Sequence, residues 1–138
     1  KISKGQQFME RKCTLIIGLP GSGKTTLAKN LLANTDIKDS ILIDDPKHFS
    51  EIAKAVRAKY LIVVDPHLCM SLNYLTAEMM LESLDFSIEC IYFENNPKQC
   101  LINAEKRGTK NVKADIDYFS KRYFIPSSAN VIPVYVDS

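Results

Sequence analysis

Short apolar runs alternate along this chain with longer segments whose apolar residues recur every three or four positions. Runs of the first kind indicate buried β-strands, and segments of the second kind indicate helices with one side against a core. The predicted strands cover residues 13–17, 40–43, 60–65, 86–93 and 131–136. The run at 60–65 is the most continuous, as expected for a central parallel strand that is covered on both faces. Pro133 within the last run predicts a strand at the edge of the sheet.

Helical segments separate these strands. They are predicted over residues 26–32, 46–56, 71–83, 97–107 and 113–124. In the helix over 71–83, we expect Leu72, Leu75 and Met79 to face the core. Strands that alternate with helices build a parallel, doubly wound sheet, so the sequence predicts an α/β fold of three layers, with five parallel strands flanked by helices. Ligands of such sheets lie beyond the carboxyl ends of the strands.

A glycine-rich stretch, Gly18-Leu19-Pro20-Gly21-Ser22-Gly23-Lys24-Thr25, joins the first strand to the first helix. It fits the pattern G-x-x-x-x-G-K-[ST] of the phosphate-binding loop, in which several backbone N–H groups point into one concavity at a helix N-terminus. Lys24 is expected to reach the β- and γ-phosphates, and the Thr25 hydroxyl to bind Mg²⁺. The sequence therefore predicts a P-loop NTPase fold that binds ATP and Mg²⁺. The expected nucleotide contacts are Gly18, Pro20, Gly21, Ser22, Gly23, Lys24, Thr25 and Thr26.

Three aspartates directly follow predicted strands, Asp44 and Asp45 after the second and Asp65 after the third. Since the carboxyl ends of parallel strands share one edge, these carboxylates are expected beside the phosphate-binding loop. Asp65 is predicted to hold Mg²⁺ through water or to orient the substrate. Asp44, or Asp45 beside it, is predicted to accept the proton of a substrate hydroxyl. The alternative is that these aspartates only form turns or cap helices.

The densest group of cations outside the N-terminal segment lies in Lys106-Arg107-Gly108-Thr109-Lys110. The planar guanidinium of Arg107 suits a phosphoryl group in transfer, and the break at Gly108 would let the segment close over the site as a lid. The alternative is that these cations complement the dipole at a helix C-terminus. His67 and Cys69 are close to each other in the sequence, but they do not make a zinc site, because two ligands are too few.

Composition adds few restrictions. The chain has 138 residues, enough for one domain, which we place at residues 12–138 behind an N-terminal arm, residues 1–11, that is either flexible or left over from protein production. A net charge of +2 favours neither nucleic acid nor membranes as partners. The absence of a long apolar run predicts a cytoplasmic protein without a membrane partner. The four cysteines lack metal-site spacing and are expected to be buried thiols. The oligomeric state stays open.

Taken together, these motifs resemble those of P-loop kinases of the polynucleotide kinase type, a likeness that spans roughly residues 12–136. Residues 105–110, followed by 115–117 and 121–123, are similar to the lid region of that family. The resemblance implies an adenylate-kinase-like sheet of five parallel strands. It also implies that Arg107 contacts the transferred phosphate and that Asp44 is the general base, with Asp45 beside it.

Two departures concern the acceptor side. The family has an arginine three residues after the base, where this chain has Lys47, a point charge without the bidentate fork. Only one predicted helix lies between Asp45 and Tyr60, where the family inserts a longer segment. The predicted acceptor-side residues are therefore Asp45, Lys47 and Asp65, in a reduced site that suits either a polymer end or a small molecule.

The sequence thus predicts an ATP- and Mg²⁺-dependent kinase that transfers the γ-phosphoryl group to a hydroxyl. The expected acceptor is the 5′-hydroxyl end of a nucleic acid, and the expected catalytic residues are Lys24, Asp44 and Arg107. Two alternatives stay open. One is a kinase of a nucleoside or small metabolite, and the other is an ATP-binding module without transfer activity.

Overall fold

The computed structural model of this chain describes residues 11–44 and 58–136. The strands in this part are β1 (Arg11–Ile17), β2 (Ser40–Asp44), β3 (Tyr60–Val64), β4 (Phe86–Phe93) and β5 (Val131–Ile132). The helices are α1 (Lys24–Asn34), α2 (Ser71–Ser83), α3 (Pro97–Lys106) and α4 (Lys113–Arg122), with a 3-10 turn at Pro66–Cys69. The helix predicted from Pro46 onwards lies outside the described residues.

The five strands form one parallel sheet in the order β2-β3-β1-β4-β5. This confirms the predicted α/β architecture and the position of β5 at an edge. The central strands end in register, because Val64 of β3 pairs with Asp44 of β2 on one side and with Ile16 of β1 on the other. The strand ends therefore present their following residues along one common edge.

Each face of the sheet carries its own apolar cluster. Side chains alternate along β3, so that Ile62 and Val64 pack with Ala28 of α1, while Leu61 and Val63 pack with the cluster on the opposite face. Both clusters contain side chains that are almost fully buried, and burial of one such side chain contributes about 1.5 to 3 kcal/mol. The same alternation determines on which face of the sheet the side chain of a residue just after β3 lies.

The predicted inner stripe of α2 is wrong. Leu72 and Met79 are 77% and 70% exposed, and Leu75 is 48% exposed, whereas Ala77 and Leu81 are fully buried. The helix carries apolar residues on two opposite sides, and periodicity alone does not tell which side meets the sheet. The side with the small Ala77 contacts β4, which allows a close approach of helix and strand.

Two strand boundaries also differ from the prediction. β1 begins at Arg11 rather than Cys13, because the Arg11 guanidinium donates hydrogen bonds to the carbonyls of Ala58 (3.0 Å) and Leu84 (2.6 Å). Arg11, which the prediction assigned to the arm, thus belongs to the sheet and pairs with Phe86 of β4. β5 ends after Ile132, because the chain then leaves the sheet and the Tyr135 amide donates to the Ser22 carbonyl at 3.0 Å. No helix in the described residues has the length and apolar character needed to cross a membrane.

The packing of α2 gives a paired test. Leu81→Ala should lower the free energy of unfolding by about 2 to 5 kcal/mol, because it opens a cavity beneath the sheet. Leu72→Ala, the matched control on the exposed side, should change it by less than about 0.5 kcal/mol. Urea unfolding of both variants measures the difference. A larger loss for Leu72→Ala would contradict the observed orientation of α2.

Candidate functional site

The loop between β1 and α1 has the curled backbone that its sequence predicts. Gly21 and Gly23 have φ values of 87° and 105°, which lie in the left-handed region. A Cβ at Gly21 would lie 2.4 Å from the Cys100 carbonyl oxygen, so the position requires glycine for space as well. Lys24, at the first position of α1, is 8% exposed and donates from Nζ to the Leu19 carbonyl at 2.8 Å. The loop is therefore a closed turn with its lysine folded across it.

Asn103 of α3 holds this loop from outside. Its side chain is fully buried, and Nδ2 donates to the carbonyl of Gly21 at 2.9 Å and to that of Tyr135. The Asn103 Oδ1 accepts a hydrogen bond from Gln99 at 2.9 Å, while the Tyr135 amide binds the Ser22 carbonyl. The loop is thus tied to both α3 and the segment after β5. Sequence reasoning missed Asn103 and Tyr135; the one available signal was a polar residue on the inner side of α3.

Thr25 and Asp44 meet at the N-terminus of α1. The Thr25 hydroxyl donates to Asp44 Oδ2 at 3.0 Å, which brings together two residues that the sequence assigned to metal binding and to catalysis. Leu42, two residues before Asp44, packs in the α1 cluster, so alternation along β2 points Asp44 to the same face. Asp44 is also exposed, so that a molecule from solvent can reach its carboxylate.

Asp65 takes a different direction. It follows Val64, which packs in the α1 cluster, and its own backbone is extended, so its side chain turns to the opposite face of the sheet. There Asp65 Oδ1 accepts hydrogen bonds from the His67 amide at 2.9 Å and from His67 Nδ1 at 2.8 Å. These contacts are those of a residue that caps the turn Pro66–Cys69, which is the structural alternative given for the strand-end aspartates. The metal role assigned to Asp65 with Thr25 stays a prediction, and no hydrogen bond between the two is found among the described residues.

Arg107 lies at the end of α3, near the segment that touches the loop. It is exposed, and its guanidinium carbon is 5.9 Å from the centre of the Tyr135 ring. Gly108 follows with φ of 74°, the conformation that ends a helix and frees the next segment to turn away. The predicted cation and the phosphate-binding loop are therefore both close to Tyr135. Asp45 and Lys47 lie outside the described residues.

The donor set at Thr25 fits Mg²⁺. The threonine hydroxyl is a hard oxygen ligand, which Mg²⁺ prefers, and the Asp44 carboxylate that accepts its hydrogen bond leaves the hydroxyl oxygen free to face the ion, whose remaining ligands would come from phosphates and water. Residues 11–44 and 58–136 contain no group of three or more His, Cys, Asp or Glu that would hold a metal by itself. The site therefore suits a metal that arrives with a nucleotide rather than one held by protein alone.

The cysteines were predicted to be buried thiols, which holds for three of the four, while Cys90 is half-buried; Cys69 and Cys100 lie beside the loop. All four cysteines are free, and Cys13, Cys69 and Cys100 are buried. Burial raises the pKa of the Cys69 thiol to about 12, although nearby Lys24 and a hydrogen bond from the Gly18 backbone act to lower it. Burial likewise raises the pKa of Cys100 to about 11. These thiols are packing groups, since the nucleophilic thiolate is scarce at neutral pH.

Comparison with known proteins gives one clear relative. No family model matches the chain. The uncharacterized protein R277 of Acanthamoeba polyphaga mimivirus is 34% identical over 125 residues, a match that covers 85% of this chain and 89% of R277.

Solved structures share the fold at lower identity. Chaetomium thermophilum Kti12, in complex with ADP-AlF3, matches with a TM-score of 0.63 and 14% identity over 88% of each chain. The APS kinase CysC of Mycobacterium tuberculosis, with AMPPNP and APS, matches with 0.56 and 15% over 90% of this chain and 88% of its own. A gluconokinase from Sinorhizobium meliloti gives 0.61 and 8% over 91% and 83%. The predicted P-loop NTPase fold, of the kind found in kinases, is confirmed.

The tie between α3 and the loop can be tested by truncation. Asn103→Ala should lower the free energy of unfolding by about 2 kcal/mol, because the carbonyls of Gly21 and Tyr135 lose the donor that the fully buried Asn103 side chain provides. Asn95→Ala, the control, removes one exposed hydrogen bond from a side-chain amide to the Ser120 carbonyl and should lower the free energy of unfolding by less than about 1 kcal/mol. Chemical unfolding compares the two. Equal losses would show that Asn103 does not hold the loop.

Proposed function

We propose that this chain, which belongs to the same family as mimivirus protein R277, is an ATP- and Mg²⁺-dependent kinase, because its fold is the one found in P-loop kinases. It transfers the γ-phosphoryl group to a hydroxyl, with the 5′-hydroxyl end of a nucleic acid as the acceptor. The observation that carries the proposal is the pair of Thr25 and Asp44 at the start of α1, next to Lys24 in the closed loop.

The loop and Lys24 bind the nucleotide. Backbone N–H groups between Gly18 and Thr25, together with the N-terminus of α1, hold the phosphates. Lys24 Nζ, which donates to the Leu19 carbonyl in the closed loop, turns to the β- and γ-phosphates when they bind. The Thr25 hydroxyl would hold Mg²⁺, which would supply positive charge at the phosphate oxygens. The Lys24 ammonium and the Mg²⁺ at Thr25 would neutralise phosphate charge without taking part in a covalent step.

Asp44 acts on the acceptor. As the acceptor oxygen bonds to the γ-phosphorus, the bond from that phosphorus to the bridging oxygen of ADP breaks, and the hydroxyl proton passes to the Asp44 carboxylate. The exposed position of Asp44 allows this contact, and its hydrogen bond from Thr25 fixes the carboxylate beside the metal-binding hydroxyl. Arg107, from the lid segment after α3, supports the charge on the equatorial oxygens.

The nucleic-acid acceptor is supported by the likeness of residues 105–110 to the lid region of polynucleotide kinases, whereas Lys47, which stands in place of their phosphate-recognising arginine, is a departure from them. Asp45 and Asp65 complete the proposed acceptor side. A second candidate is a kinase of a small metabolite, and the structural likeness to a gluconokinase and an APS kinase supports it. Both candidates use the same loop, Thr25 and Asp44, and they differ only in the acceptor.

A substitution at Asp44 tests the proposed reaction. Asp44→Asn should lower phosphoryl transfer from ATP to a 5′-hydroxyl oligonucleotide by about 10²- to 10⁴-fold, because the proton acceptor is lost. ATP binding, measured by calorimetry, should stay within a few-fold of wild type. Asp36→Asn, an exposed aspartate between α1 and β2, is the matched control and should leave transfer unchanged. Full activity of Asp44→Asn with normal ATP binding would refute the assignment of the base.

Competition separates the two acceptor classes. Wild type receives γ-labelled ATP with an equimolar mixture of a 5′-hydroxyl oligonucleotide and small polyols or nucleosides. The proposal expects label on the oligonucleotide, and label on a small alcohol would favour the second candidate. ATP binding with label on neither would favour a binding module, and loss of binding in Lys24→Ala would still place the nucleotide in this loop.

A further inference from the structure

The pair of Asp65 and His67 lies at the edge where the acceptor must enter, and we infer that His67 is an acceptor-binding residue that Asp65 positions. This inference rests on the proposed kinase function and extends it to a residue outside the loop. Asp65 is 4% exposed, whereas the side chain of His67 is 53% exposed. A buried carboxylate thus holds an imidazole whose outer part faces solvent.

Two contacts on different elements fix the imidazole ring. Nδ1 of His67 lies 2.8 Å from Asp65 Oδ1, and the ring meets Phe119 of α4 edge to face, with centroids 5.2 Å apart and planes at 85°. Together the two contacts set both the position and the plane of the ring. Because Nδ1–H donates to the Asp65 carboxylate, Nε2 is the nitrogen that is left to form a hydrogen bond with a ligand.

The topology places this ring on the path of the acceptor. Asp44 follows β2, and the phosphate-binding loop follows β1, while β3 lies between these two strands. Val64, the last residue of β3, is in register with both Asp44 and Ile16. The turn Pro66–Cys69, which carries His67, begins two residues later and ends at Cys69, whose sulfur is beside the Gly18 backbone.

Asp44 faces α1, whereas Asp65 and His67 lie on the other side of this edge, so an acceptor whose hydroxyl lies between Asp44 and a γ-phosphate in the loop reaches His67 by extending over the end of β3. His67 Nε2 forms a hydrogen bond with that acceptor, at a group other than the reacting hydroxyl, whose proton goes to Asp44. The role is recognition, so that loss of His67 should weaken the use of the acceptor and leave the binding of ATP alone.

Two amide variants separate this role from a structural one. The side-chain amide of His67→Asn can take the place of Nδ1 and keep the bond to Asp65, but it lacks the outer nitrogen. The longer amide of His67→Gln can reach the place of Nε2, but it gives up the bond to Asp65. Steady-state transfer to a 5′-hydroxyl oligonucleotide, the KM for ATP and the thermal unfolding midpoint are measured for both variants and for Asp36→Asn, an exposed control between α1 and β2.

We expect His67→Asn to lower kcat/KM for the oligonucleotide about tenfold, mainly through KM, while the KM for ATP stays at the wild-type value and the unfolding midpoint falls only through the lost ring contact with Phe119. His67→Gln should keep more of the oligonucleotide kcat/KM than His67→Asn and should unfold at a lower temperature than that variant. Asp36→Asn should behave as wild type. Wild-type transfer by His67→Asn, with a loss confined to the stability of His67→Gln, would overturn the inference and leave the proposed kinase standing.

A binding measurement separates failure of this inference from failure of the proposed function. The chain has two histidines, so the imidazole resonance of His67 is assigned by its absence in His67→Asn. With AMPPNP and Mg²⁺ present, addition of the 5′-hydroxyl oligonucleotide should shift that resonance. If wild type transfers no phosphate to the oligonucleotide, the proposed function fails at its acceptor. A shift would even then support His67 as a contact, and an unmoved resonance would overturn that role.

Discussion

The close approach of the phosphate-binding loop to α3 is the constraint on which the site depends. The backbone at Gly21 lies so near the Cys100 carbonyl that no side chain fits between them. The side-chain amide of Asn103 bridges the same region, because it donates hydrogen bonds to the carbonyl of Gly21 and to that of Tyr135 in the segment after β5. A loop held in this way has its N–H groups organised before any phosphate arrives, which reduces the entropy that binding must overcome.

Strand parity then divides the edge of the sheet into two sides. Asp44 points towards α1 and meets Thr25, so the side facing α1 combines the hydroxyl, carboxylate and ammonium groups that phosphoryl transfer requires. Asp65, one residue past its strand, points to the other side and holds His67. Two aspartates that look equivalent in the sequence thus have different partners. Asp44 is the last residue of β2, and its side chain faces α1. Asp65 follows Val64, whose side chain already faces α1, so that the side chain of Asp65 lies on the opposite side.

The sequence predicted the sheet, the loop and the position of Asp44 beside that loop, because these follow from motif spacing and from the direction of parallel strands. It predicted the same position for Asp65, whose side chain instead contacts His67. It did not predict which side of α2 is buried, since Leu72 and Leu81 are equally apolar and only packing distinguishes them. Asn103 and Tyr135 were missed because their partners are carbonyls far away in the chain. His67 was considered only as a zinc ligand, and its contact with Phe119 depends on how α4 docks.

The central claim is that this loop holds the triphosphate of ATP with Thr25 and Asp44 next to the reacting phosphate. The most direct measurement is a crystal structure of the chain with AMPPNP, Mg²⁺ and a 5′-hydroxyl oligonucleotide. The account predicts phosphates between Gly18 and Thr25, Mg²⁺ on the Thr25 hydroxyl, Lys24 turned away from the Leu19 carbonyl, and the 5′ oxygen beside Asp44. A triphosphate bound elsewhere, or bound here with Asp44 remote from the γ-phosphate, would contradict it.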